Sequence, residues 1–563
     1  MSPTTCRSAR ILPWAITAVA VFLILLMDAV PPVSRDALNH HLLVPKRYLS
    51  AGAIQEIPEI PFSYYPQNLE MLYLGALWLG SDILPKYIHF AFALLTALSM
   101  HRYLSRRFDE VWAAVGVCLF LTLPVILKLS VTVYVDLGLI FFSWTALVYF
   151  LYWQERGWRW REFLISAVCC GLALGVKYNG LVTLFILAAG VPAAYARHHV
   201  GKPRLTLSAS GLAVLYVLIA SVVFAPWWVR NLAWTGNPLY PLYGSLFKLL
   251  SSGGDSVFNG VDTVNVYGSR LSHFAYRAIA FGESWWEIAL VPLRIFFQGV
   301  DDNPRFFDGV LHPFLLVLPV IAIIGIRRSS PPWRREAGFL TLFAALTILM
   351  AFIQTDMRIR YMAPAIPALV VLSVGGLRGL VNGLERWRPA AGWQAAVLPV
   401  LLAVLMIPNA LYAHRLFSAV DPVPFMMGKM DRSAYIAARR PEFVIFDHAN
   451  RTLDPRSRLL SLFLGGRHYY CDLPIVESPG IFLAAIRQAG SAQELAERLQ
   501  DAGFTHMVFY VSLLDRWLQD NLGADRLKVA ADFFRGRTVL VMENRGYVMV
   551  ALRGEGARCE SWR

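Results

Sequence analysis

The chain has 563 residues, of which 56% are hydrophobic and only 16% are charged, well below the roughly 25% charged fraction of soluble domains. A chain of this length and apolarity does not fit one soluble core and therefore indicates a polytopic membrane protein. The net charge of +14 would suit nucleic-acid binding, but much of the Lys and Arg lies in short segments between apolar runs. That placement is typical of membrane topology, so no nucleic-acid partner is expected.

The first apolar run covers residues 11–30 and follows Arg7 and Arg10. Positive charge stays on the cytoplasmic side, which predicts a cytoplasmic N-terminus. The run is long for the apolar region of a signal peptide and no small-residue cleavage site follows it, so we interpret it as a membrane helix. Residues 31–68 are then predicted to form the first outer loop.

This first loop contains the sequence SRDALNHHLLVPKRYLSAGAIQEIPEIPFSYYP, with Asp36, His40, His41 and, in its Tyr-Tyr-Pro turn, Tyr65. Polar groups held against a bilayer face are costly unless they are used. We therefore interpret Asp36 with the two histidines as part of an active site rather than as an ordinary solvated loop. The solvated loop is the better interpretation for three other charged residues taken singly: Lys46, Arg47 and Glu56.

Residues 68–79 are apolar but short for a crossing, which needs about 20 residues, and are predicted to form a helix at or re-entering the outer face. The further predicted spans are residues 86–104, 111–128, 134–153, 205–225, 313–326, 339–353, 361–374 and 395–411. Between residues 163 and 195, an apolar run from 163 to 182 continues to 195 and is predicted to form two short spans that meet at Lys177. The total is about eleven spans. Every strongly basic short connection falls on one side of the membrane, which supports this topology.

Residues 226–312 form a long outer loop rich in Trp, Tyr, Gly and Asn. The membrane domain is predicted to cover residues 1–413, and residues 414–563 to form a soluble, extracytoplasmic α/β domain. In that domain FVIFD, THMVFYV and TVLVM have the composition of buried strands. SAQELAERLQDAG is predicted to be a helix with Ser491 as N-cap and Gly503 just past its end. Whether Cys471 and Cys559 pair is left open.

Polar residues gather at the predicted outer ends of the spans. They are Tyr134, Asp136, Lys177, Tyr178, Arg230, Asn231, Asp308, Asp356, Arg358, Arg360 and Tyr361. Carboxylates and cations would therefore share one face of the membrane. Such a site suits a lipid-linked phosphate, because cations neutralise the phosphate, Arg binds it bidentately, and a carboxylate takes a proton from an incoming hydroxyl.

Simpler interpretations compete with several of these assignments. For Lys177, a lysine that snorkels from a helix end is nearly as good an interpretation as a phosphate binder. Asp136 could serve merely as a helix cap. Asp356 with Arg360 could be a simple i,i+4 ion pair. A site with one base and several cations fits a reaction with a phosphate leaving group better than it fits a hydrolase that uses two carboxylates. The six cysteines form no metal-finger array, and the adjacent histidines lack metal-ligand helical spacing.

The stretches DALNHHLLVPKRYLSAG, LGVKYNGL, PWWVRNLAWTGNPLYPL and RIRYMAPAIP resemble the GT-C glycosyltransferases, the superfamily of protein O-mannosyltransferases and the lipid A aminoarabinose transferase. The resemblance covers roughly residues 11–411. It implies a GT-C-like membrane fold that transfers a sugar, with inversion, from a polyprenyl-phosphate-linked donor. The acceptor would be a glycan, lipid or protein at the outer face of the inner membrane, next to a periplasmic C-terminal domain.

The resemblance also implies roles for individual residues. The aspartate of the family's first loop corresponds to Asp36 as catalytic base, and the family's later basic residues suggest Lys177, Arg230 and Arg360 as phosphate binders. Mannosyltransferases of this type commonly carry Asp-Glu in the first loop, whereas this chain has Asp-Ala. Any second carboxylate must therefore come from elsewhere in the chain, and Asp136 is the candidate. Whether the site uses a divalent metal is left open.

Two other classes of protein would also place charges among apolar spans. One is a lipid or solute transporter or flippase, and the other is a non-catalytic scaffold whose C-terminal domain binds a partner. Transporters often show internal repeats and binding residues near the bilayer midplane. We find no repeat, and the candidate residues cluster at one end of the spans, so glycosyl transfer is favoured.

Overall fold

The computed structural model describes residues 3–198, 205–244, 247, 273–328, 330–354, 357–387 and 391–553. The chain divides into two compact units. The helical unit comprises Met1–Ala29, Tyr64–Leu72 and Leu84–Pro422, and the mixed unit comprises Val30–Ser63, Tyr73–Ile83 and Val423–Arg563. The last helix of the helical unit continues to Val420, past residue 413, where we placed the domain boundary.

The helical unit combines long apolar helices with several short ones. Its helices are Pro3–Asp28, Leu84–Arg107, Glu110–Thr122, Pro124–Ser130, Asp136–Glu155, Trp160–Val176, Gly180–His198, Leu205–Thr235, His273–Phe281, Trp285–Ala289, Val291–Arg294, Phe314–Gly325, Pro331–Phe352, Ile366–Trp387 and Ala391–Val420, with 3₁₀ turns at Pro304–Phe306, Ile326–Arg328 and Ile359–Ala365. In the described part of the chain, seven helices are long and apolar enough to cross a membrane, or eight if one bent pair counts as a single span. The chain is therefore a multi-pass membrane protein, and the figure of about eleven spans stays a prediction.

The span predicted at residues 111–128 is bent rather than straight. The structure has two helices there, Glu110–Thr122 and Pro124–Ser130, which meet at an angle of 64°. Leu123 between them has extended ψ of 134°. The cause is Pro124, which lacks an N–H and disfavours helical geometry at the residue before it.

The break predicted at Lys177 is confirmed. The helices Trp160–Val176 and Gly180–His198 end and begin on either side of residues 177–179. Lys177 itself has an extended backbone, with φ of −163° and ψ of 142°. Lys177 therefore lies in the connection between the two helices, and it belongs to the site described below.

Close helix packing in the helical unit depends on small residues. A Cβ atom added to Gly171 would lie 2.5 Å from the carbonyl oxygen of Ala220 on the helix Leu205–Thr235. A side chain at this position would therefore push the two helices apart. Small residues that allow such close approach are typical of helix interfaces in membranes.

The mixed unit is built on a five-stranded sheet with the strand order β2-β1-β3-β5-β4. Its strands are β1 Leu459–Leu462, β2 Ile475–Glu477, β3 His506–Tyr510, β4 Thr538–Asn544 and β5 Tyr547–Leu552. β1 pairs in parallel with β2 and β3, whereas β5 pairs antiparallel with β3 and β4. The β4–β5 turn at Arg545 and Gly546 has positive φ at both residues, as a tight hairpin requires.

The mixed unit also contains helices. They are Leu43–Ala51, Val423–Met426, Arg432–Arg439, Glu442–Thr452, Pro479–Gln488, Ala492–Asp501, Val511–Asn521 and Ala524–Gly536, and the helix Asn68–Trp78 begins in the helical unit and ends in the mixed unit. The predicted α/β character is confirmed. Ser491 caps its helix by accepting a hydrogen bond from the Glu494 N–H at 3.2 Å, as the sequence predicted.

THMVFYV and TVLVM form β3 and β4, but the prediction of a strand at FVIFD is wrong. These residues lie in the helix Glu442–Thr452. The buried positions there are Glu442, Ile445, Phe446 and Ala449, which is helical spacing. The short run of apolar residues resembled a strand because its helical periodicity appears only when the residues after Asp447 are included.

Candidate functional site

Asp36 begins a short π-helix in the mixed unit. It occupies the N-cap position of Ala37–His41, with φ of −70° and ψ of −28°. The Leu42 N–H donates to the Ala37 carbonyl at 2.9 Å. The first loop is thus locally ordered rather than extended, and π-helical turns are frequent at functional sites.

His40 and His41 pack together beside Asp36. Their ring centroids are 4.0 Å apart, and His40 also stacks on Phe62 at 4.3 Å. His41 is buried, with 6% of its surface exposed. Within the described ranges, no group of three or more His, Cys, Asp or Glu side chains could hold a metal ion.

Residues 465–472, which we call the anchor segment, hold the stretch of chain that carries Asp36. The Tyr470 hydroxyl donates to the Pro32 carbonyl at 2.7 Å, and the Tyr469 N–H donates to the Leu38 carbonyl at 3.1 Å. Gly466, with φ of +71°, lies against the Asn39 amide, where a Cβ would overlap that side chain. The backbone on both sides of Asp36 is therefore tied to the C-terminal part of the mixed unit.

Lys46 is the strongest of these links. Its Nζ donates to the Tyr469 carbonyl at 2.7 Å and to the Cys471 carbonyl at 3.3 Å, and pairs with Asp472 Oδ1 at 2.6 Å. The interpretation of Lys46 as an ordinary solvated loop residue is therefore wrong. Sequence reasoning missed its role because the partners lie more than 400 residues further along the chain. Cys471 is a buried thiol, and Cys559 lies outside the described residues.

In the helical unit, Lys177 and Asp136 form a buried ion pair. Lys177 Nζ lies 2.8 Å from Asp136 Oδ1, and the side chains are 19% and 1% exposed. Asp136 is the first residue of the helix Asp136–Glu155, and Lys177 lies in the break between the helices Trp160–Val176 and Gly180–His198. Lys177 Nζ also lies 5.5 Å from the centre of the Tyr361 ring. A lysine that merely snorkels to solvent would not be held in this way.

Arg360 belongs to the same group. Its guanidinium lies 5.1 Å from the centre of the Tyr134 ring and 5.9 Å from that of Tyr361. It also interacts electrostatically with Asp136. Asp356, the other partner considered for Arg360, lies outside the described residues.

Arg230 is held at the end of the helix Leu205–Thr235. Its Nη2 donates to the Tyr65 carbonyl at 3.1 Å and to Asn231 Oδ1 at 3.0 Å. The guanidinium lies 4.8 Å from the Trp227 ring and 4.9 Å from the Trp234 ring. Aromatic faces on two sides leave this cation oriented and partly shielded from water.

Asn231 connects this arginine to two of the predicted tyrosines. Its Nδ2 donates to the Tyr178 hydroxyl at 3.1 Å and to the Tyr64 carbonyl at 2.8 Å. The Tyr178 hydroxyl donates to the Tyr240 carbonyl at 3.0 Å, and the Tyr178 ring lies 5.3 Å from that of Tyr65. These predicted site residues are therefore close together in space.

Glu70 is a carboxylate that the sequence analysis did not single out. It lies in the first turn of the helix Asn68–Trp78, is only 5% exposed, and interacts electrostatically with Lys177, Arg230 and Asp136. This helix of 11 residues is about 16 Å long, too short to span a bilayer core of about 30 Å. Burial raises the pKa of Glu70 to about 8, against the opposing effect of the two cations. The glutamate near the start of an apolar helix was the signal that could have found it.

These side chains form one charged cluster, which we define as Glu70, Asp136, Lys177, Arg230 and Arg360. It holds three cations, the Asp136 carboxylate and the carboxyl group of Glu70, and lies entirely within the helical unit. Asp308 and Arg358 form a separate pair, with Asp308 Oδ2 3.1 Å from Arg358 Nη1. Together with the hydrogen bond from the Ile359 N–H to the Phe307 carbonyl at 2.8 Å, that pair braces the turn that carries Arg360 and Tyr361.

The chain is similar to known glycosyltransferases. Residues 78–229 match the family model described as dolichyl-phosphate-mannose-protein mannosyltransferase. By sequence, no curated protein matches the chain at a significant level. The family-model match and the structural similarities that follow confirm the resemblance to the GT-C glycosyltransferases.

Three solved structures share the fold. The chain is 15% identical to ArnT from Cupriavidus metallidurans in the apo state, with 98% of each chain covered and a TM-score of 0.55. To the structure of the same protein bound to undecaprenyl phosphate, the chain is 15% identical, with 97% of this chain and 99% of that chain covered and a TM-score of 0.54. The Archaeoglobus fulgidus oligosaccharyltransferase in the apo form is 13% identical, with 89% of this chain and 70% of that chain covered and a TM-score of 0.51. All three are glycosyltransferases, so they give no support to the transporter alternative.

Proposed function

We propose, for a chain that has the fold of the GT-C glycosyltransferases, that it transfers a sugar from a polyprenyl-phosphate-linked donor to an acceptor hydroxyl. The observation that carries the proposal is the charged cluster, in which three partly exposed cations lie around the buried Asp136 and Glu70 side chains of the helical unit. ArnT was crystallised bound to undecaprenyl phosphate, and a lipid phosphate is the ligand that such a cluster would bind in this chain. Whether a hexosyl or a pentosyl group is transferred is left to experiment.

The cations would act on the phosphate of the donor. Arg230 and Arg360 present planar guanidinium groups that match phosphate oxygens bidentately, and Lys177 adds a third positive charge. Negative charge accumulates on the phosphate as the bond to the sugar breaks, so fixed cations stabilise the transition state more than the ground state. Asp136 compensates part of this positive charge before the donor arrives, which lowers the cost of holding the cations together.

Asp36 would act on the acceptor as general base. The acceptor oxygen attacks the anomeric carbon from the side opposite the phosphate, the carbon–oxygen bond to the phosphate breaks with its electrons, and the acceptor proton passes to Asp36. The configuration at the anomeric carbon inverts. The polyprenyl phosphate leaves without needing a strong acid, which is consistent with a single base and several cations.

Basic residues support a location in the cytoplasmic membrane with the C-terminal part of the chain outside. Arg102, Arg106 and Arg107 lie at or near the end of the helix Leu84–Arg107. Arg156 and Arg159 lie between the helices Asp136–Glu155 and Trp160–Val176, and Arg161 is the second residue of the latter. Both groups fall on the cytoplasmic side when the N-terminus is cytoplasmic.

The test combines a base variant with a phosphate-binding variant. Asp36→Asn should abolish formation of the glycan product, measured by mass spectrometry of envelope glycans and lipids from cells with and without the protein, while it leaves donor binding intact. Arg360→Ala should instead weaken binding of polyprenyl phosphate by about tenfold or more, consistent with loss of a charge-assisted contact worth about 1.5–3 kcal/mol.

Glu59→Gln is the matched control, because Glu59 is an exposed acid in the same loop. It should leave both product formation and donor binding unchanged. If Asp36→Asn retains normal product levels, Asp36 is not the base. If no glycan depends on the protein and a solute or lipid still moves across the membrane in the Asp36→Asn variant, the transporter alternative replaces glycosyl transfer.

A further inference from the structure

A polar cavity of about 230 Å³ lies in the mixed unit. It is built from three stretches of chain: the helix Leu43–Ala51, which carries Lys46, the residues around Asp82, and the C-terminal segments. The C-terminal segments contribute Arg432, Ser433, Phe443, Tyr469, Tyr470 and Asp472 to its wall. The volume is below the roughly 300–1,000 Å³ of sites for drug-sized molecules, so the cavity suits one small unit.

The charges in the wall cancel in pairs. Lys46 pairs with Asp472 at 2.6 Å, and Arg432 pairs with Asp82 at 2.5 Å. An anion such as phosphate would have to displace a carboxylate from one of these cations. A hydroxyl group both donates and accepts, so it can bridge a cation and a carboxylate without separating them. The lining therefore favours a neutral, hydroxyl-rich ligand.

The accessible parts of the wall suit such a ligand. Asp472 and Arg432 have side chains that are 67% and 45% exposed, so hydrogen-bonding groups remain available at the surface. Phe443 and Tyr470 supply aromatic rings with centroids 5.3 Å apart. A pyranose has hydroxyl groups on its edges and an apolar face of C–H bonds, which matches a wall that combines charged groups with aromatic rings.

The cavity also adjoins the stretch of chain that carries Asp36. Lys46, Tyr469, Tyr470 and Asp472 line the cavity, and the first three also make the contacts that hold residues 32–46. The cavity and Asp36 therefore belong to the same unit, whereas the proposed phosphate-binding cations belong to the other. An acceptor needs contact with the base, so a subsite in this unit is more suited to the acceptor than to the donor phosphate.

We propose that this cavity binds a neutral, hydroxyl-rich group of the acceptor, of the size of one monosaccharide. The proposal rests on the proposed glycosyl transfer for the assignment to the acceptor, but the binding itself does not depend on it. A carbohydrate chain that grows at the membrane surface would supply such a group.

The test is saturation-transfer difference NMR on the full-length protein in nanodiscs, with methyl pyranosides of the manno, gluco and galacto series as probes and no lipid donor present. We expect at least one glycoside to receive saturation from the wild-type protein. Ser433 is an exposed position on the helix Arg432–Arg439, and Ser433→Trp should fill the cavity and reduce that signal at least fivefold. Ser433→Ala, which leaves the cavity open, should retain it.

Ser512→Trp is the matched control, since Ser512 is an exposed serine on the helix Val511–Asn521 and does not line the cavity. It should bind as the wild type does. The absence of any signal from the wild-type protein, an equal signal from Ser433→Trp, or displacement of the glycoside by inorganic phosphate would each overturn the proposal. Because no donor is present, these outcomes are independent of the Asp36→Asn result, which tests the proposed function.

Discussion

Glu70 is buried near charged residues that are distant from it in the sequence. It follows the Tyr-Tyr-Pro turn on a short helix, yet its carboxyl lies within the electrostatic reach of Lys177 and Arg230. A buried carboxyl binds its proton more tightly, since the charged form loses hydration. Two cations nearby limit that effect but do not reverse it.

The protonation of Glu70 should make the stability of the protein depend on pH. The folded-state pKa of about 8 lies above the unfolded value of about 4.3, so the folded protein binds an extra proton between these values. The free energy of unfolding therefore falls as the pH rises from about 4.3 to about 8. Glu70→Gln removes this dependence. We expect its thermal midpoint to exceed that of the wild type by a few degrees at pH 9 and by much less at pH 5.

Thermal-shift measurements on the detergent-solubilised protein across this pH range would check the effect. Glu59→Gln, which replaces an exposed acid, serves as the control and should show no such trend. A midpoint difference between Glu70→Gln and the wild type that stays constant from pH 5 to pH 9 would show that Glu70 keeps an ordinary pKa.

At the scale of elements, the anchor segment joins the C-terminal part of the chain to the first loop. Its contacts involve Pro32, Leu38 and Lys46, on both sides of Asp36. Such contacts fix a side chain by holding its backbone rather than by touching it. Displacement of a reacting group by about 1 Å can cost a hundredfold in rate, so the anchor segment should affect turnover.

Tyr470→Phe tests this positioning role. It removes one hydrogen bond, to the Pro32 carbonyl, worth about 0.5–1.5 kcal/mol, and keeps the ring in place. We expect the rate of product formation at saturating donor to fall by up to about tenfold, with the apparent KM for the donor unchanged. Lys46→Met, which loses three contacts, should lower the rate further.

Initial rates in isolated membranes at varied donor concentration would measure both constants. Tyr510→Phe, a change at the end of β3 in the same unit, provides the comparison and should behave like the wild type. A rise in donor KM with an unchanged maximal rate in Tyr470→Phe would mean that the anchor segment does not position the base.

The element-level predictions succeeded where the signal was local. The break at Lys177 and the helix capped by Ser491 followed from a polar interruption and from a cap with its glycine. The bend at Pro124 was not predicted, because the effect of this proline was not considered. The prediction of a strand at FVIFD was wrong because the apolar pattern was read over too short a window. Lys46 and Glu70 could not be assigned, since their partners are distant in sequence.

At the scale of the whole molecule, composition and basic connections indicated a multi-pass membrane protein with a C-terminal α/β part, and the structure confirms both. What composition could not indicate is that the mixed unit also includes residues 30–63 and 73–83. Long-range pairing of this kind leaves no periodic signal, because it depends on hydrogen bonds to main-chain carbonyls.

The proposed orientation can be measured directly. Alkaline phosphatase is active only outside the cytoplasm, so a fusion after residue 553 should be active, and a fusion after Arg107 should be inactive. A fluorescent protein that matures only in the cytoplasm should give the opposite pattern at the two sites. Activity of the phosphatase at Arg107 together with inactivity after residue 553 would invert the topology and place Asp36 on the cytoplasmic side.

The separation of Lys46 from Asp472 has a consequence for biosynthesis. The two residues are 426 positions apart, and ribosomes add about 5–20 residues per second, so about 20–85 s pass between their synthesis. During that time the stretch that bears Asp36 has been made but the residues that order it have not. A nascent chain would therefore acquire these contacts, and with them a fixed position for the proposed base Asp36, only after nearly all of it had left the ribosome.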